Sequence, residues 1–83
     1  MEGYSDLAHL PENKRIEIIA RFVVDKLKTV AVALENEPAK IARYERKLHA
    51  ERPGLLEIER VPGLVPNTVT LRVKPKFQNV PNN

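Results

Sequence analysis

The sequence predicts a small α+β domain, an antiparallel helical hairpin followed by a two-stranded antiparallel β-hairpin. Three patterns lead there. Apolar residues advance by alternating steps of four and three from Ile16 to Leu34. Two breaks, Asn36-Glu37-Pro38 and Pro53-Gly54, bracket a second segment of helical period. Beyond residue 54 the period drops to two, in two runs separated by a linker containing Pro62, Gly63 and Pro66.

The first helix is expected over about 12–34. Ile16, Ala20, Val23, Leu27, Val30 and Leu34 form one stripe, widened by Ile19 and Ala31. Glu17, Arg21, Asp25 and Lys28 lie opposite, in acid–base pairs three or four residues apart. Pro11 suits a first turn, and Glu12 complements the positive end of the helix dipole. Leu27 sits mid-stripe, so truncating it is expected to cost about 2–5 kcal/mol. Ile18 and Phe22 fall off the main stripe, one turn apart. They are covered either by the N-terminal segment or by a second copy, which makes them the candidate interface residues.

Asn36 is a good N-cap and Pro38 is tolerated in a first turn, so a second helix is expected over about 37–51. Ile41, Tyr44 and Leu48 make its apolar face. Lys40, Arg43, Arg46 and Lys47 gather on the neighbouring one.

Strands are expected at about 55–61 and 68–74. Pairing Val61 with Thr68 puts Ile58 opposite Leu71 and Leu56 opposite Val73 on one face. On the other face it puts Glu57 opposite Arg72 and Glu59 opposite Thr70. Residues 1–83 form one domain, with a frayed start at 1–6 and a loose tail at 75–83.

The chain has 83 residues, no cysteine and a net charge of +3, with a pI near 9.5. A single core of this size rarely supplies more than about 3–5 kcal/mol of net stability. A two-stranded sheet is marginal alone, so a homodimer is expected. Disulfides and thiolate metal sites are excluded. The longest apolar run is far short of the roughly 20 residues that span a bilayer, so a cytoplasmic protein without membrane contact is expected.

Catalytic chemistry has little to work with. Ser5, Asp6 and His9 are too close in sequence for a triad. Glu45 with His49 and Glu57 with Glu59 read better as ion-pair partners than as metal ligands or paired catalytic carboxylates. No catalytic residue, metal or cofactor is assigned. The basic excess lies late in the chain, with no acid after Glu59. The candidate nucleic-acid-binding residues are therefore Lys40, Arg43, Arg46 and Lys47 with Arg72, Lys74 and Lys76. If both sets face one way, they can follow a phosphate backbone. The leading expectation is a non-enzymatic, homodimeric binder of nucleic acid or another polyanion. The alternative is a protein–protein adaptor, inhibitor or accessory subunit, working through Ile18 and Phe22 or through the hairpin edge.

Overall fold

The computed structural model describes residues 9–76. The expected frayed start, and the expected tail beyond Lys76, lie outside the described residues. The chain runs α1 (Glu12–Lys26), β1 (Val30–Glu35), α2 (Pro38–Glu51), β2 (Leu56–Pro62), β3 (Thr68–Pro75). The α+β class is as the sequence predicts. The architecture is different: two helices lie against one face of a three-stranded antiparallel sheet of order β1-β3-β2.

The difference arises at Leu27. Ile16, Ile19, Ala20 and Val23 are buried, as their spacing requires. The helix then stops, because Leu27 takes a left-handed conformation with φ 55°. A reversal of this kind is commonly made by glycine, and it satisfies the last carbonyls of a helix. Leu27 is consequently 60% exposed instead of lying mid-stripe. The segment expected to continue the helix to residue 34 is strand β1. Val30 is buried, Val32 and Leu34 are half-buried, and Ala31, Ala33 and Glu35 are exposed. β-branched Val30 and Val32 suit a pleated strand better than a helix.

A strand, not a tight turn, therefore separates the two helices. Pro38 opens α2 at its first turn, one residue later than expected, and extended Glu37 occupies the cap position. Ile41, Tyr44 and Leu48 are buried as predicted. Gly54, with φ 75°, makes the exit turn after Pro53.

The expected hairpin forms, with a register shifted by two residues. Ile58 pairs with Val73, Glu57 with Lys74, Glu59 with Arg72 and Val61 with Thr70. A shift of two keeps every side chain on its face, so apolar still meets apolar and acid still meets base. The turn sets the shift. The Gly63 N–H donates to the Thr68 carbonyl at 3.0 Å, and Asn67 is left-handed with φ 66°. A Cβ on Gly63 would run into the Thr68 side chain, so this close approach requires glycine.

β1 completes the sheet by pairing antiparallel with β3, Val30 with Val73 and Val32 with Leu71. β1 and β2 thus run parallel, joined through α2, with the last strand inserted between them. Leu71 and Val73 at the centre are fully buried, together with Ile16, Val23, Ile41, Leu48 and Val30, and Leu56 is nearly so. The opposite sheet face carries Ala31, Ala33, Thr70, Arg72, Lys74, Glu57 and Glu59, and no helix among the described residues covers it.

Candidate functional site

Two basic residues of α2, Arg43 and Lys47, belong to an ion-pair cluster at the seam with α1. Arg43 grips Glu12 with two hydrogen bonds, Nε to Oε2 at 3.2 Å and Nη2 to Oε1 at 3.0 Å. Lys47 Nζ stands 3.7 Å from Glu12 Oε2. Lys40, one turn before Arg43, reaches Glu35 at the end of β1, at 4.0 Å. Arg46 points away and is exposed. The Arg43 hydrogen bond holds the Glu12 carboxyl below its ordinary range, against the opposing effect of burial. Burial pushes the Tyr44 hydroxyl up, so it stays protonated at neutral pH.

One member of this cluster escapes the sequence reading. Arg15 lies on the Glu12 side of α1, and its buried Nε–H has no hydrogen-bond acceptor among the described residues. Three cations, Arg15, Arg43 and Lys47, thus surround one carboxylate. The signal was present, because Glu12 and Arg15 are three apart on one helix face.

The hairpin bases sit elsewhere. Arg72 and Lys74 alternate with buried Leu71 and Val73, so they project from the open sheet face. Both converge on Glu59, at 3.8 and 3.2 Å. Lys76 follows β3, exposed, its N–H donating to the Leu55 carbonyl. The α2 set and the Arg72–Lys74 set therefore lie on opposite sides of the sheet and do not form one track. Arg60, by contrast, turns toward the helices and forks onto Glu45 at 2.7 and 2.8 Å. That contact holds the Glu45 carboxyl below its ordinary range. Of the candidate interface pair, Phe22 packs half-buried against the core, while Ile18 is half-buried outside that cluster.

The sheet edges are a further surface. In an antiparallel ladder each residue directs its N–H and C=O to one side only. The Asn36 N–H bonds the Asn67 carbonyl, and the Gly63 N–H bonds the Thr68 carbonyl. Carried along the registers, this alternation points the main-chain groups of Ala31 and Ala33 and the N–H of Glu35 outward from β1, while the Glu35 carbonyl accepts from the Glu37 N–H at 2.8 Å. On β2 the outward residues are Leu56, Ile58, Arg60 and Pro62, the last with no N–H to offer.

Comparison with family models, with curated proteins and with solved structures returned no match. Among the described residues, no helix is long and apolar enough to cross a membrane.

Proposed function

We propose that the protein is a non-catalytic interaction module that takes up an extended strand along the outer edge of β1. The observation that carries this reading is the character of that edge. From Val30 through Leu34 it has no charge, no proline and no bulky outward residue, only the methyl groups of Ala31 and Ala33 beside main-chain donors and acceptors that have no partner among the described residues. Sheet edges normally carry charge, proline or a cover against unwanted pairing. An edge without them suits strand addition, in which main-chain hydrogen bonds supply affinity.

The test uses dilute ¹⁵N-labelled protein and a synthetic strand copying residues 28–36. The amides of Ala31, Ala33 and Glu35 are expected to shift and to gain protection from exchange, while those of Leu56, Ile58 and Arg60 stay unchanged. No response at β1, or an equal one at β2, overturns the reading.

A second reading, binding of nucleic acid or another polyanion, is favoured by the cluster at the α1–α2 seam. Arg15, Arg43 and Lys47 exceed the charge of Glu12, and the Arg15 Nε–H lacks an acceptor among the described residues. This reading requires duplex binding that weakens steeply with salt and nearly disappears in R43E/K47E, independent of base sequence. Undetectable binding by the parent at low salt removes it.

A further inference from the structure

We propose that the outer edge of β1 is covered by β1 of a second copy of this chain. The two strands run antiparallel about a two-fold axis at Val32 and merge the two sheets into one. The proposal rests on strand addition at β1 and names the partner.

Three observations carry it. The first is self-complementarity. With Val32 opposite Val32, Ala31 falls opposite Ala33 and Val30 opposite Leu34. Ala31 and Ala33 are the residues whose main-chain groups point outward, so each exchanges hydrogen bonds with its counterpart in the other copy. The same register keeps Val30, Val32 and Leu34 on the helix side of both sheets, so the two cores become continuous.

The second observation is the distribution of charge. Lys26 and Lys28 precede β1, while Glu35 ends it and Glu37 follows. Antiparallel pairing sets Glu35 opposite Thr29 of the other copy, beside its Lys28, and the symmetry repeats the contact. A parallel arrangement would instead set like charge against like. The third observation is incomplete burial. Val32 and Leu34 pack against the core but remain partly exposed at the sheet edge. A neighbouring strand covers that flank. The opposite edge, β2, does not serve as well, because Glu57 and Glu59 would meet their own kind or a neutral face there.

Sedimentation of the purified chain from low to high micromolar concentration provides the test. The parent is expected to pass from monomer to dimer across this range, since a single short strand pair is a small interface. A33P deletes an outward N–H without touching a bond to β3, and is expected to remain monomeric while melting as the dilute parent does. Should that variant fail to fold, the charge series decides instead. K28E and E35K each weaken association several-fold, and K28E/E35K together restore it. A chain ending at Lys76 dimerises like the parent.

A parent that stays monomeric overturns the proposal. If it nonetheless takes up the synthetic strand, strand addition stands and the partner is another protein; if it does not, both readings fall. A33P that folds and dimerises as the parent does, or a double charge variant without rescue, puts the interface elsewhere and overturns it. Dimerisation of the chain ending at Lys76 where the parent stays monomeric makes residues 77–83 the cover, which overturns it too.

Discussion

The two edge strands flank the same partner, β3, and direct their apolar residues into the same core, yet they are finished differently. β2 alternates Leu56 and Ile58 with Glu57 and Glu59, continues through Arg60 and closes on Pro62. Glu59 is held by Arg72 and Lys74, and Arg60 by Glu45. β1 has no charged residue before Glu35 and shows two alanines to the open face. Strand propensity alone does not decide whether an edge is available, because both strands have it. The residues between the apolar ones decide, since a carboxylate directly opposite another carboxylate repels while a methyl group does not.

That contrast can be probed at several strengths. The largest effect is expected from L56A. Leu56 is 3% exposed, so its loss leaves a cavity costing about 2–5 kcal/mol, enough to unfold much of a domain this small. L34A, at the half-buried end of β1, should cost clearly less in the same thermal melt. Equal losses would mean that the two edges are anchored alike.

Next in size is conversion of the guarded edge. E57T/E59T removes the carboxylates of β2 without removing strand propensity. Light scattering should then report species larger than those of the parent at equal concentration. An unchanged mass would show that these charges do not guard the edge.

A smaller effect concerns acid. Glu45, held by Arg60 on β2, and Glu12, held by Arg43, both have folded-state pKa values below the ordinary 4.5. Each contributes stability that is complete above about 4.5 and drains away as pH falls through the lowered folded value. R60A should therefore melt below the parent at neutral pH, and the gap should close in acid. A gap that persists unchanged at low pH would assign the loss to packing by the Arg60 side chain. The smallest effect is expected from L27A, within about half a kcal/mol, because this residue is largely exposed. A loss of several kcal/mol would restore Leu27 to the core.

The two helical faces, the Pro38 start and the Pro53-Gly54 stop were legible because each is written within a few neighbouring residues. The faces of the β2–β3 hairpin were legible for the same reason. Its exact pairing was not, because a two-residue slip preserves every facing and only the Gly63–Thr68 contact separates the alternatives. β1 was misread for a sharper reason. Val30, Ala31 and Leu34 continue the helical stripe, while Val30, Val32 and Leu34 alternate as a strand, so one short run satisfies both periods. Two things break the tie. One is a left-handed residue that is not glycine; the other is a partner strand some forty residues away, beyond the reach of local pattern. The candidate site divides similarly. The spacing of Lys40, Arg43 and Lys47 was visible on one helix. The engagement of Arg43 and Lys47 by Glu12 is a long-range fact, and Arg15 came into view only with it.

The strand order has a consequence for the history of each molecule. The central strand is the last of the described strands, so β1 and β2 lack the neighbour they share until residues 68–75 have left the ribosome. During that interval α1 and α2 can form, since their hydrogen bonds are local, but β1 waits with both of its edges bare. The segment most prone to pairing is thus synthesised well before the strand that satisfies it. The same Val-Ala-Val-Ala-Leu run that gives the finished protein its open edge makes nascent chains on one message a hazard to each other, and the speed at which β3 arrives sets how long that hazard lasts.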